Sequence, residues 1–287
     1  MYKSIVTEIV KRQKPKLLVI SAAAFSQGNW NLTDEVYLRK WIDNMPMSQN
    51  KLDTVKTIPK NINKDDEKVK DNISDTLYFP LEKYHGNWKD PEAVYTSFVT
   101  RAYMRLSGGG YLKGFYSKTG ITGGRDNLAN IGQPTKEAYV LTDECRAYLK
   151  ELLSYCNKLG IEHVLLLQPP HETQAADKSG LEQIESITKE YGYDFLDLST
   201  DYESSVGIDD SHDFADFEHL NAYGAQKLSS YIGDMAVNQY SIKSDTAKSE
   251  LSRWKKSVKR TKKALKMARE YTDRGEAQVV GEYEAAK

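Results

Sequence analysis

Two short, strongly apolar runs constrain this chain more than anything else in it. Leu17-Leu18-Val19-Ile20 follows the turn signal Lys14-Pro15-Lys16, and Ile161-Glu162-His163-Val164-Leu165-Leu166-Leu167 stops at Pro169-Pro170. Runs of this length between turn signals read as strands buried on both faces. A third strand is expected from Tyr193 to Leu198. Between the second and third lies a helix from about Leu181 to Tyr191, with Gly192 placed to end it. The helix before the second run is clearer. Thr142 caps it, Tyr148, Leu149, Leu152, Leu153, Cys156 and Leu159 form its apolar stripe, and Gly160 ends it. Strand, helix, strand, helix, strand with continuous apolar runs argues for a parallel sheet covered on both faces, an α/β domain.

The stretch from Ser21 to Val140 is too long for a plain crossover and reads as an insertion. It carries one helix near Asp34–Asn44 and another opened by Asp90-Pro91, with Tyr95, Phe98, Val99, Ala102 and Leu106 on one side. Lys51 to Asp75 is polar and lysine-rich and reads as a solvated insertion. Ser107-Gly108-Gly109-Gly110 is a turn or helix end, since it has neither the dinucleotide nor the Walker spacing. The motifs call for no cofactor.

Charge narrows the partners. Forty Lys and Arg against 41 Asp and Glu give a net charge of −1, so the molecule as a whole is no nucleic-acid magnet. The total conceals an asymmetry. Asp201 to His219 holds seven acidic residues and no Lys or Arg, whereas Arg253 to Arg269 holds nine basic residues and no acidic one. Leu251, Trp254, Val258, Leu265 and Ala268 recur there at helical spacing. That basic amphipathic helix, in a tail spanning 241–287 behind a domain of 1–240, has three readings. It packs its Leu251/Trp254/Val258 stripe on the domain or on the acidic loop, it touches a membrane surface through 251–269, or it binds nucleic acid. The last is set aside because no reading module accompanies the charge.

No apolar run reaches the roughly 20 residues of a membrane helix, and Met1-Tyr2-Lys3-Ser4 opens no signal peptide. Cys145 and Cys156 fall on one helix, about 16 Å apart by its rise, beyond the roughly 7 Å a disulfide tolerates. They read as buried thiols.

The densest reactive segment is Asp209-Asp210-Ser211-His212-Asp213-Phe214-Ala215-Asp216-Phe217-Glu218-His219, followed by Leu220-Asn221. It follows the third strand and precedes a helix from about Ala222 to Val237 that Asn221 can cap. It therefore belongs at the carboxyl end of the sheet, where open α/β folds place their sites. On a tight turn, a carboxylate three residues before a histidine can accept from Nδ1–H and leave Nε2 free as a general base. Asp216 and His219 are the candidate catalytic pair.

These residues carry a resemblance. Asp216-x-x-His219-Leu220-Asn221 with Gly224-Ala225 resembles the last block of the SGNH, or GDSL-type, hydrolase superfamily. Lys14 to Ile20 resembles that family's third strand. Arg39, Asp43-Asn44-Met45-Pro46-Met47-Ser48, Asn50-Lys51, and Phe79-Pro80-Leu81 to Tyr84-His85 with Trp88 resemble a bacterial cell-surface branch that transfers acyl groups to envelope polymers. The resemblance covers roughly residues 1 to 240. It implies a three-layer α/β/α doubly wound parallel sheet and a serine acyl-enzyme with His219 as base and Asp216 as its orienter. It also implies a cell-envelope glycan or acyl donor and a membrane acyl-transfer partner, on the extracytoplasmic side.

The departures are as informative. The family's Gly-Asp-Ser or Gly-Ser-Ser turn has no counterpart, and Ser21-Ala22-Ala23-Ala24 stands where a Gly-x-Asn-Asp is expected. The nucleophile carries over to no residue, and nothing marks Ser21 or Ser26 as activated. The resemblance thus implies a sheet lacking its first two strands, which leaves Leu17–Ile20 as an uncovered edge. The expectation is a truncated reading of a longer protein, or a partner that completes the sheet. The alternative is a non-catalytic binding or assembly protein of the same fold. A metal site from His212, Asp213, Asp216 and His219 is a third option. His163 reads as a core or sheet-end residue and His85 as an aromatic-packed loop residue; His171 stands at the carboxyl end of its strand, where approach to a substrate is the lesser reading, and Arg39 and Lys51 read as solvated charges, with an anionic polymer as the alternative.

Overall fold

The computed structural model describes residues 2–26, 35–57, 77–78, 89–92, 95, 99, 112–121, 141–170, 178–216, 219–244, 247–281 and 284. In chain order its elements are α1 (Tyr2–Arg12), β1 (Leu17–Ser21), α2 (Ala23–Ser26), α3 (Glu35–Ile42), α4 (Gln49–Thr57) and β2 (Ser117–Lys118). They continue with α5 (Asp143–Lys158), β3 (His163–Gln168), α6 (Ser179–Glu190), β4 (Asp194–Asp197), α7 (Tyr202–Val206), α8 (Ala222–Asn238), α9 (Lys248–Asp273) and β5 (Val279–Val280). The fold is mixed α/β.

The three expected strands form one parallel sheet in the order β1-β3-β4. Leu18 pairs with Val164 and Ile20 with Leu166, while Leu166 and Leu167 pair with Phe195 and Leu196. Strand alternation then sorts side chains to two faces. On one face, Ile20, Val164 and Leu166 pack with Val6 of α1, Leu149, Leu152 and Leu153 of α5, and Ile184 of α6. On the other, Leu167 and Leu196 meet Leu198, Tyr202, Ile208, Phe214 and Leu220, with Leu228 of α8.

The sequence cues for the helices hold at their ends. Thr142 takes the Cys145 N–H as the α5 cap, and Gly160 and Gly192 stand at positive φ just past α5 and α6. Cys156 is buried, but Cys145 is only half-buried.

Four further expectations change. The Leu17–Ile20 run is not buried throughout: Ile20 is, but Val19 is 41% exposed. Among the described residues β1 pairs with β3 alone, and the cover supplied from α8 reaches β3 and β4 only. Lys51 to Thr57 is not solvated insertion but the body of α4, which lies against α1 with Thr54 hydrogen-bonded to Ser4 at 2.5 Å. Lys51 and Arg39 are nearly fully buried, and Arg39 pairs with Asp43 at 3.5 Å. Burial pulls the Lys51 ammonium below its usual range, against the pull of Asp43. The fourth change is in α9. Leu251, Trp254 and Val258 are exposed, and the packed face is Ser257, Ala264, Ala268 and Thr272, small residues that let α9 come close to its neighbours.

The strand pair β2–β5 was not expected. Two residues from the long insertion join two near the C-terminus in antiparallel register. The expected helix of 91–106, the Gly108–Gly110 turn, Phe79 to Trp88 and His171 lie outside the described residues, apart from residues 91, 92, 95 and 99. No helix among the described residues is long and apolar enough to cross a membrane.

Candidate functional site

The acidic segment after β4 is folded as a closed loop. A bridge between Phe214 and Leu220 brings its two arms together, with the Ala215 N–H on the His219 carbonyl at 2.8 Å and the Asn221 N–H on the Asp213 carbonyl at 2.9 Å. Phe214 and Leu220 face inward and pack with Leu167 and Leu196, late in β3 and β4. The arms that carry Asp216 and His219 are thereby anchored beside the carboxyl ends of β3 and β4.

Asn221 locks the loop. It is fully buried and has no unused hydrogen-bonding group. Its Oδ1 accepts from the Tyr223 and Gly224 N–H groups as the α8 cap, and its Nδ2 donates to the His212 and Gly120 carbonyls at 2.6 and 3.2 Å. Gly224 is required for close approach: a Cβ there would stand 2.5 Å from the Asp213 carbonyl oxygen.

Asp213 is the second lock. Its carboxylate, inaccessible to solvent, accepts from Lys227 Nζ at 2.6 Å, the Asp209 N–H at 2.8 Å and His212 Nδ1 at 3.0 Å. Burial pushes its pKa up, but these three bonds outweigh burial and hold the carboxyl below its ordinary range. His212 and Asp213 are therefore committed to each other and to Lys227. Among the described residues no three His, Cys, Asp or Glu side chains converge as metal ligands, so the four-ligand site weighed from the sequence does not assemble.

Asp216 and His219 are brought together as expected. One carboxylate oxygen, Oδ1, lies 2.7 Å from His219 Nδ1 and also accepts the His219 backbone N–H at 2.9 Å. The second contact pins the carboxylate to the loop, and the first turns Nδ1 of the ring toward it. Both side chains are partly exposed, His219 at 42%.

Sequence reading missed a third member. Lys118, on β2, donates from Nζ to Asp216 Oδ2 at 2.9 Å and lies 3.1 Å from His219 Nδ1. It comes from 98 residues upstream and is held by the pairing of β2 with β5. The flanking Thr119 bonds to the Glu276 carbonyl at 2.5 Å, and the Gly120 N–H to Thr272 Oγ1 at 3.2 Å. No local signal marks Lys118: it is one lysine in a loop, positioned by a two-residue strand pair whose partner is at the far end of the chain.

The remaining candidates lie elsewhere. Ser21 ends β1, and its hydroxyl accepts the Ala23 N–H at 3.3 Å. Residues 22–25 turn straight into α2, with Ala22 and Phe25 buried in the core. His163 sits at the start of β3, its ring 4.8 Å from that of Tyr240.

No protein-family model matches the chain, and no curated protein or solved structure matches it either.

Proposed function

We propose that the chain carries the base-bearing half of an SGNH-type ester hydrolase or O-acyltransferase that handles acyl esters of cell-envelope glycans on the outer side of the membrane. In this reading the β1-β3-β4 sheet is the last part of a three-layer doubly wound α/β/α sheet, with α1, α5 and α6 on one face and α8 on the other. His219 is the general base and Asp216 its orienter, and the reaction passes through a serine acyl-enzyme. The nucleophile is brought by a segment that continues the sheet along the edge of β1 that no described residue pairs with. Acyl transfer of this type calls for no metal or cofactor.

The observation that carries the reading is the Asp216 Oδ1 to His219 Nδ1 contact at 2.7 Å, on arms bridged at Phe214 and Leu220 and packed against the late residues of β3 and β4 in a parallel sheet. The test is the ester content of envelope glycans in cells whose only copy carries His219→Ala. Loss of a general base lowers turnover by roughly 10²–10⁴-fold, so the esters disappear where the reaction is transfer and accumulate where it is hydrolysis. Normal ester content with a folded variant overturns the reading.

Lys118 favours a second reading, a non-catalytic binding or assembly protein of the same fold. An ammonium on both Asp216 and the ring makes the trio an ionic clasp between the loop and the β2–β5 pair. The two readings separate on one pair of variants. In the second, His219→Ala leaves the ester content normal, because Lys118 still holds Asp216, and Asn221→Ala, which frees the loop that carries the clasp, changes it.

A further inference from the structure

Helix α9 has two halves with opposite environments. From Ser257 onward one side is buried on α8, β2 and β5, through Ser257, Ala264, Ala268 and Thr272. Before that, every residue from Lys248 to Lys256 is exposed. Leu251 and Trp254 in this half, and Val258 just past the boundary, stand at 44, 48 and 50% exposure. Their spacing of three and four residues puts them on one stripe. A large apolar stripe left open beside a packed face marks a surface that meets something else.

The charges around the stripe identify what it meets. Lys248 to Lys263 contains eight Lys or Arg and one Glu. By helix geometry, Lys255, Lys259, Lys262 and Lys266 line the side of the apolar stripe away from the packed face. Among the described residues, Lys248, Arg253, Lys255, Lys256, Lys259, Lys262 and Lys263 make no ion pair with a carboxylate. Lys113 adds one more cation, its ammonium 4.9 Å from the Trp254 ring centroid. A leucine, a tryptophan and a valine rimmed by unpaired lysines fit an interface with an apolar interior and an anionic surface. The apolar side chains enter below the headgroups, while the lysine stems reach back to the phosphates.

We propose that the N-terminal half of α9 docks in the plane of an anionic lipid surface through Leu251, Trp254 and Val258, with its lysine row on the lipid phosphates. A nucleic acid would use the lysines but would leave the apolar stripe in water, so the stripe decides between the two. The inference does not depend on the role of His219.

The test is co-sedimentation of the full chain with vesicles of phosphatidylglycerol and phosphatidylcholine, against vesicles of phosphatidylcholine alone. The expected result is binding to the anionic vesicles with a blue shift of tryptophan emission that Trp254→Phe removes. Replacing Leu251, Trp254 and Val258 together by Ser abolishes binding while helicity and melting temperature stay unchanged, because all three are exposed. Lys255→Glu with Lys259→Glu weakens binding by at least about twentyfold, since each basic residue near such a surface is worth roughly fivefold. Failure of the folded wild type to bind anionic vesicles overturns the proposal. So does undiminished vesicle binding by the triple Ser variant. So does tighter binding to a DNA duplex than to vesicles, unaffected by the triple substitution, which assigns the lysine row to nucleic acid.

Discussion

The sheet core and the Asp213–Asn221 loop are held by opposite kinds of force. Between β1, β3, α1, α2, α5 and α6 the contacts are mainly Leu, Ile, Val and Phe side chains, with the neutral Cys156, Tyr148 and Tyr193 among them. Around the loop, the two residues at 0% exposure that organise everything are an aspartate and an asparagine, and nearly every tie is a hydrogen bond to backbone or to a charge. The first arrangement tolerates exchange of one apolar residue for another of similar volume. The second does not, because a buried polar group that loses its partner keeps its full desolvation cost.

The largest expected effect tests the first half of that contrast. Leu152→Ala in α5 removes a side chain with no solvent exposure from the centre of the core, and about 4 kcal/mol of stability is lost. Leu152→Met, which keeps the volume, costs under about 1.5 kcal/mol. Thermal or denaturant unfolding of the two variants measures the difference. Equal losses would mean that packing shape, not apolar volume, holds the core.

Asn221→Ala tests the second half. It strands the His212 and Gly120 carbonyls and uncaps α8, for an expected cost of about 3 kcal/mol. Hydrogen exchange sharpens the comparison: amides of 207–221 and 117–120 open, while those of β3 and α5 keep their protection. Opening of both regions together would show that the loop and the core unfold as one unit.

The two regions are also expected to fail at opposite ends of the pH scale. In the core, burial raises the Cys156 thiol from 9.0 to about 11 and the Tyr148 and Tyr193 hydroxyls to about 12. A raised acid stays neutral in the folded state, so its contribution is complete below the unfolded pKa and is lost as pH rises above it. For Cys156 that window runs from about 9 to 11 and amounts to about 3 kcal/mol, and Cys156→Ala flattens the slope there. In the loop, Asp213 is depressed, so its contribution is present above the unfolded carboxyl pKa and is lost as pH falls through the folded one. Near-ultraviolet circular dichroism against pH follows the first loss. Exchange at Asp209 and Asn221 follows the second, and Asp213→Asn removes it.

The same contrast explains what was legible in the sequence. The strands at Leu17, His163 and Asp194 and the caps at Thr142 and Asn221 are local signals, a run or one side chain beside a periodic stripe. Asp216 and His219 are three residues apart, so one loop suffices to join them. Val19 was misjudged because the apolar run says nothing about whether a neighbour covers it. For α9, periodicity finds an apolar stripe but not which part of it packs: Ala268 of the stripe is buried beside Ala264, while Leu251, Trp254 and Val258 are exposed. Lys118 was invisible for the most physical reason, since its place depends on a strand pair closed across 160 residues of chain.

The smallest effect on stability bears most on chemistry. Lys118, Asp216 and His219 are each about a third or more exposed, so Lys118→Met is expected to cost under about 1 kcal/mol. What it tests is which atom carries the ring proton. Nδ1 lies 2.7 Å from an Asp216 oxygen and 3.1 Å from the Lys118 ammonium, and it can donate to the first or accept from the second, but not both. The shorter contact, with its oxygen fixed by the His219 N–H, favours Nδ1–H. Nitrogen-15 spectra of the ring are therefore expected to show the Nδ1–H tautomer in the wild type and, unchanged, in Lys118→Met. In Asp216→Asn the preference is lost. The opposite pattern, Nε2–H in the wild type that depends on Lys118, would make Lys118 the ring's partner. Nε2 would then hold a proton where a base needs a lone pair, and the loop would be a clasp.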